Sequence, residues 1–309
     1  AVPPPRQEDD PYRLLTEQLP AVTYIVELQP APHTVYISPQ VRPLLGFTPE
    51  EWLAHPGFWI RQLDPEDRDR VVEEVRQRNR SGDPFFLEYR IRAKDGRTVW
   101  VRNSATYLRD QAGALASVHG VMLDITERKQ AEQRLKRLND CLLGFGPDTA
   151  ANINAVVALC GDVLGAACAL YNRLDSGLLC ALGHWQAPPD FKAQDRPEGH
   201  ICFDVIRQAA DRPLVIRRLQ DSAYAQTDPN VKAYGLQTYI GVAVKSRHRA
   251  LGSLCVVYPR DLQPAPELLD FLHLAAHAVA LEEERRESGE HLKQSEQRYR
   301  RLHDLFRNM

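Results

Sequence analysis

Residues 85–108, FFLEYRIRAKDGRTVWVRNSATYL, alternate in polarity on both sides of Asp95-Gly96. An Asp-Gly pair between two such runs signals a β-hairpin, because its turn needs positive φ and these residues tolerate it. A third alternating run, ALASVHGVMLDI at 114–125, follows the turn RDQAG. Upstream, YIVEL at 24–28 and TVYI at 34–37 read as two short strands parted by Gln29-Pro30-Ala31-Pro32, which no helix or central strand accommodates. Between the two strand groups, Ser38-Pro39-Gln40 and Thr48-Pro49-Glu50-Glu51-Trp52 carry helix-start chemistry. DPEDRDRVVEEVRQRNR at 64–80 predicts an amphipathic helix opened by Asp64-Pro65 and stopped at Ser81-Gly82-Asp83-Pro84. Two strands, helices and three strands predict a five-stranded antiparallel sheet with helices on one side.

The sheet ends at Asp124-Ile125-Thr126, and ERKQAEQRLKRLNDCLLGF at 127–145 spaces Ala131, Leu135, Leu138, Leu142 and Phe145 by four and three. That is a heptad seam. A helix this short is marginal alone in water, so the seam needs a partner, either its own domain or the same helix of a second chain. Beyond it, ANINAVVALCGDVLGAACAL at 151–170 splits into a buried helix and a strand containing 169–173. LLCALGHW at 178–185 is a second strand and APPDFKAQDRPEG at 187–199 a loop. CFDVIRQAA predicts a short helix, PLVIRRL a strand, and TDPNVKAYG a turn followed by a helical segment. TYIGVAVKS and ALGSLCVVYP form a hairpin around Arg247 and His248, and PAPELLDFLHLAAHAVALEEERRE is a long amphipathic helix. A seam continues through Leu281, Arg285, Ser288, Leu292, Ser295, Tyr299, Leu302 and Phe306. The fold class is α+β: two antiparallel-sheet domains, joined and followed by long coiled-coil-type linker helices.

At 309 residues the chain has the length of two domains, and 43% hydrophobic with 26% charged residues is ordinary for a soluble globular protein. Thirty-nine Lys and Arg against 41 Asp and Glu give a net charge of -2, without the basic field that phosphate binding needs, so nucleic acid is not an expected partner. No apolar run is long enough to span a membrane, and the start, AVPPPRQEDD, has no signal-peptide order, so a cytoplasmic segment is expected. The missing initiator Met and the end at Met309 suggest an excerpt of a longer chain. Six cysteines set among Leu, Ala, Val and Ile read as buried free thiols.

Catalytic signatures are absent: there is no Walker lysine loop, G-x-S-x-G, H-E-x-x-H or CxxC. His273 and His277 share a helix face without an accompanying acid and read as ordinary helix histidines. His119 on its strand reads as structural rather than as a haem ligand, and Trp100 and Tyr107 as core or interface filler. Polar groups interrupt the apolar pattern at His200, Cys202, Asp228 and Tyr239, so these four form the candidate small-molecule pocket.

YISPQVRPLLGFTPEEW, LDPEDRDRV, FFLEYRIRAKDGRTVWVRNSATYL and SVHGVMLDITERKQAE together resemble a PAS domain with its C-terminal PAC segment. The resemblance implies a sheet that cups a ligand or a dimer partner, with Asp124, Ile125 and Thr126 coupling the last strand to an outgoing helix. Apart from it, Thr126, polar at a strand end that turns into a helix, is expected to cap that helix through its hydroxyl. The usual His before Pro-Glu-Asp is Asp64 here, and this half has no cysteine, so flavin-thiol adduct chemistry is excluded from it. HICFDVIRQAADRPLVI, YAQTDPNVKAYGLQTYIGVAV and ALGSLCVVYPRDLQPAPELLDFLHLAAHAVALE resemble a GAF domain. PAS followed by GAF is also the phytochrome order, but an anchoring Cys upstream and the Cys-His dipeptide of GAF-anchored relatives are missing, so covalent bilin is not expected. QSEQRYRRLHDLF resembles the linker into a further PAS domain.

The expected organisation is a tail at 1–13, a PAS domain at 14–127, a linker helix at 128–145, a GAF domain at 146–284 and a C-terminal linker helix at 285–309. The expected function is a non-catalytic sensory and signal-relay segment of a bacterial two-component or cyclase protein, its kinase or cyclase output domain lying outside this chain. A homodimer is expected along Leu135, Leu138, Leu142, Leu292, Tyr299, Leu302 and Phe306. The cofactor is left open, and the alternative is a thiol redox sensor or sulfoxide-reducing enzyme using Cys202.

Overall fold

The computed structural model describes residues 20–246 and 249–307, with side chains to residue 300. The expected tail at 1–13 and the turn residues Arg247 and His248 lie outside the described residues. The chain divides into two compact units at residues 130 and 131.

The first unit holds β1 (Val22–Glu27), β2 (His33–Ile37), α1 (Val41–Leu45), α2 (Pro49–Leu53), α3 (Phe58–Gln62), α4 (Pro65–Ser81), β3 (Phe85–Arg92), β4 (Thr98–Arg109) and β5 (Leu115–Asp124). Its sheet runs β2-β1-β5-β4-β3, with each neighbouring pair antiparallel. The Asp95-Gly96 hairpin sets Tyr89 opposite Val101 and Ile91 opposite Val99. All four are buried against Leu45, Trp52, Leu63 and Val71 of the helical layer. Asp64 caps α4 through its carboxylate, and Thr48 with Glu51 forms a capping box on α2. The five-residue α3 is too short for periodicity to reveal.

Helix α5 (Thr126–Leu143) begins in the first unit and ends in the second. The second unit continues with α6 (Thr149–Val163), β6 (Cys168–Asp175), β7 (Leu178–Trp185), β8 (Gln194–Asp195), α7 (Ile201–Gln208), β9 (Leu214–Arg217), α8 (Tyr224–Thr227), α9 (Pro229–Ala233), β10 (Thr238–Ser246), β11 (Arg249–Tyr258) and α10 (Pro266–Arg307). Its antiparallel sheet runs β8-β7-β6-β11-β10-β9. Ile240, Val242, Leu254 and Val256 face the core shared with α6 and α10. Tyr239, Ala243 and Cys255 face α7. Both sides are covered, so these central strands read as continuous apolar runs. The two-residue β8 lies where the sequence predicts loop, and α8 was not expected from it.

The proposed seams separate. Leu138 is buried in the second unit's own core, which corrects its assignment to a dimer seam. Leu135, Leu142, Leu292 and Tyr299 are exposed. The side chains of Leu302 and Phe306 lie outside the described residues. Among the described residues no helix is long and apolar enough to cross a membrane.

Candidate functional site

The first unit's outgoing helix is tied to its sheet through Trp100. The Trp100 carbonyl accepts from Ile125 N at 2.9 Å, and the Trp100 N–H donates to Thr126 Oγ1 at 2.9 Å. Asp124 Oδ1 accepts the Thr126 N–H at 2.8 Å. The expectation that the Thr126 hydroxyl caps the helix is therefore corrected: that oxygen receives a strand amide, and the Asp124 carboxylate takes the first helical N–H. Glu88 on β3 draws Arg128 and Lys129 of the first helical turn to the sheet, and Lys129 sits 5.3 Å over the Trp100 ring.

Inside this unit is a cavity of about 280 Å³ lined by β1, α3, α4, β4 and β5, including Tyr24, Trp59, Val75, Asn103 and Met122. Four of the polar groups in and behind its lining satisfy one another. Tyr24 OH donates to Asn103 Oδ1 at 2.9 Å, and Asn103 Nδ2 donates to Tyr89 OH at 3.0 Å. Trp59 Nε1 also donates to Tyr89 OH at 3.0 Å. Burial pushes the Tyr89 phenol up to about 12, so it stays neutral. Gly120 lies beneath the Tyr24 ring, which would collide with any Cβ there. These residues were missed from sequence because the inward face of an alternating strand looks alike whether it meets core or cavity. Trp100 and His119 are not among the lining residues; Tyr107 donates to Asn79 Oδ1 at 2.7 Å at the cavity's edge.

The second unit brings His200, Cys202, Asp228 and Tyr239 to one cavity of about 530 Å³. His200 precedes α7, with Nδ1 3.5 Å from Asp228 Oδ1 and Nε2 3.7 Å from Asp195 Oδ2. Asp228 caps α9 by accepting from Asn230 N, and it also accepts from Ile201 N at 3.1 Å, which fixes the start of α7. Hydrogen bonding to Asp228 raises the His200 pKa above the ordinary value, against the opposing effect of burial. Cys202 Sγ lies 3.4 Å from Tyr239 OH and 3.6 Å from Cys255 Sγ, and it accepts from Asn172 Nδ2 at 3.2 Å. Gly241 makes room for the Tyr239 ring, two residues along the same strand face. Asn172, Asp195 and Cys255 were missed from sequence. Cys255 was within reach: the β10–β11 register pairs it with Gly241, on the face that Tyr239 occupies.

Strand β6 carries cavity and helix contacts on adjacent residues. Asn172 lines the cavity, while Tyr171 OH donates to Glu283 Oε1 and Arg173 Nη1 to Glu283 Oε2, each at 3.1 Å. Glu283 is fully buried on α10, and burial pushes its carboxyl up against the pull of Arg173. His277 Nδ1 lies 2.9 Å from the His273 carbonyl one turn back. Among the described residues no three potential ligands cluster as a metal site.

Residues 34–122 match the PAS fold, and residues 148–282 match the GAF domain. The chain is a PAS domain followed by a GAF domain. Over 84% of its length it is 24% identical to the methyl sulfide methyltransferase-associated sensor of Methanosarcina acetivorans, covering 27% of that protein. Over 31% of its length it is 37% identical to the blue-light-activated histidine kinase of Brucella ovis, covering 18% of that protein. The chain thus spans under a third of these sensors. Among solved structures, a bacteriophytochrome of R. palustris aligns over 88% of the chain and 59% of its own, at 11% identity and a TM-score of 0.42. The two-domain order makes this a sensory segment, with the PAS unit bearing the smaller cavity and the GAF unit the larger and more polar one.

Proposed function

We propose that the segment is a ligand-responsive relay in which each cavity biases the helix leaving its domain. The observation that carries this reading is β6, where Asn172 meets the GAF cavity and its neighbours Tyr171 and Arg173 grip Glu283 of α10. A small molecule that favours one placement of β6 over another would shift α10 by that difference in affinity. In the PAS domain β4 has the same double duty, with Asn103 at the cavity and Trp100 at Ile125 and Thr126. The exposed Leu135, Leu142, Leu292 and Tyr299 suit pairing of equivalent helices in a parallel homodimer. An output domain, kinase or cyclase, in a longer cytoplasmic signalling protein would read the change; the sensor and kinase names of the relatives support this.

The test is native mass spectrometry and an absorption spectrum of the purified chain, joined to hydrogen exchange. A retained small molecule is expected. Asn172→Ala should alter exchange between residues 282 and 290, with the PAS sheet unchanged. A chain that retains nothing and whose α10 is indifferent to Asn172→Ala would refute the relay.

A further inference from the structure

Small-molecule binding leaves the sulfur chemistry of the GAF cavity unused. Cys202 is the second residue of α7; the Ile201 N–H at that helix start is taken by the Asp228 carboxylate, so the end offers this sulfur its dipole alone. The Asn172 amide donates to its sulfur, and the Tyr239 hydroxyl and Cys255 thiol are placed to do the same. Ser253 Oγ, 3.2 Å from Tyr239 OH, can donate in turn to Tyr239 and leave the phenol proton for the sulfur. Donors thus converge on one sulfur from β6, β10 and β11.

We propose that Cys202 and Cys255 form a dithiol oxidation site for a small hydroperoxide that enters the GAF cavity. The Cys202 thiolate attacks the peroxide's terminal oxygen; the O–O bond breaks, the alkoxide or hydroxide leaves with a proton, and Cys202 becomes a sulfenic acid. The Cys255 thiol then attacks that sulfur, forming the S–S bond and releasing water. The peroxide is reduced by two electrons, which the two thiols supply, and a low-molecular-weight thiol resets the pair by exchange. The asymmetry suits these roles. Hydrogen bonding from Cys255 lowers the Cys202 pKa despite burial, and the same bond raises that of Cys255, keeping it protonated until it is needed. Closing the sulfurs from 3.6 Å to a bond of about 2.05 Å draws the first turn of α7 toward β11. Cys168 also lines the cavity, but burial pushes its thiol up to about 11 and keeps it unreactive. The inference rests on the relay reading in one respect, that the cavity admits small molecules from solution.

The test treats the reduced full chain with substoichiometric hydrogen peroxide, alkylates the remaining thiols and maps the peptides. A Cys202–Cys255 cross-linked peptide is expected, lighter by two hydrogens and reversed by dithiothreitol. Cys202 should oxidise about tenfold faster than the half-exposed Cys141. Cys255→Ser should stall at a Cys202 sulfenic acid that dimedone traps, and Cys202→Ser should leave Cys255 reduced. Wild-type mapping needs no variant to fold: if Cys141 or Cys168 oxidises while Cys202 and Cys255 stay reduced, the site is overturned. If the disulfide forms in a chain that retains no small molecule and whose α10 ignores Asn172→Ala, the relay reading falls and the dithiol site stands.

Discussion

The PAS and GAF units assign the same two tasks to one strand and solve the second differently. In each, an inward asparagine meets the cavity: Asn103 on β4, Asn172 on β6. In the PAS unit the start of the outgoing helix is held by backbone groups of Trp100 at the strand's end, with the Glu88 pairs to Arg128 and Lys129 beside them. In the GAF unit it is held by the Tyr171 and Arg173 side chains on a buried Glu283. Backbone coupling survives most substitutions, whereas coupling through a buried carboxylate depends on side-chain identity and on protonation. The cavities differ in the same sense. The neutral Tyr24, Asn103, Tyr89 and Trp59 close a network on themselves in the PAS interior, and the PAS cavity's His33 and Arg76 pair with exposed Glu27 and Glu73. His200, Asp228 and two thiols instead meet within the GAF cavity.

The largest effect that would sharpen this contrast is at Glu283. Glu283→Ala leaves Tyr171 without its acceptor and Arg173 with Asp175 alone, and since breaking one side of a buried pair costs about 3 to 5 kcal/mol, a loss at the lower end of that range is expected. Urea denaturation should show the GAF transition moving by that amount, with the PAS transition in place. A loss under about 1 kcal/mol would mean that solvent reaches Glu283 and that the helix is held by apolar packing alone.

The two asparagines give the next effect. Asn103→Leu removes bonds to two tyrosine hydroxyls and leaves Tyr24 OH without its acceptor, a cost of about 2 to 3 kcal/mol. Asn172→Leu removes a donor to sulfur, a weaker acceptor, and should cost nearer 1 kcal/mol. Thermal unfolding of the two variants tests the ranking. Equal losses would erase the distinction between a structural polar network and a chemical one.

The units should also fail at opposite ends of the pH scale. His200 has a folded pKa raised by Asp228, with Asp195 and Cys202 adding to the effect. Its contribution is complete below the ordinary value of about 6.5 and is lost as pH rises through the higher folded value. In the PAS unit, burial pushes the Asp67 carboxyl up, but donors from Arg90 and Arg70 outweigh it and hold it at about 2. That contribution is present above about 3.8 and is lost as pH falls toward 2, on the order of 1 kcal/mol after solvent screening. A GAF unfolding temperature that declines from pH 6 to 8, flattened by His200→Gln, is the expected record. A slope that His200→Gln leaves intact would assign it to other groups.

The PAS sheet was legible because period-two alternation and Asp95-Gly96 state its register, the central GAF strands as apolar runs bounded by turns, and α4 because Asp64-Pro65 and Gly82 mark both ends. Four GAF cavity residues were legible because a polar group in an apolar run needs a reason to be there. Their partners were not: Asn172 and Cys255 come from strands that are 83 residues apart in sequence where they meet. Periodicity reports which residues share a face but not which faces meet. Leu138 fails for a related reason. A seam at heptad spacing is equally a stripe for the helix's own domain, and the second unit claims the middle leucine while leaving Leu135 and Leu142 exposed.

The smallest expected effect tests the PAS side of the comparison most directly. If backbone groups hold α5, then Thr126→Ala, which leaves the Trp100 N–H without an acceptor, should cost about 1 kcal/mol or less. The Ile125 N–H to Trp100 bond and the Asp124 cap remain in that variant. Asp124→Ala should cost a similar amount, because a lost N-terminal cap is typically worth about 1 kcal/mol. Together they remove the two side-chain bonds at the junction itself and leave the Ile125–Trp100 backbone bond and the Glu88 pairs with Arg128 and Lys129. Hydrogen exchange should therefore quicken in residues 126–130 of either variant and more in the double variant, with β4 and β5 still protected. If the double variant instead frees β5 from the sheet, the helix start is part of the PAS core rather than a joint attached to it. The contrast with the side-chain grip on Glu283 would then be one of degree.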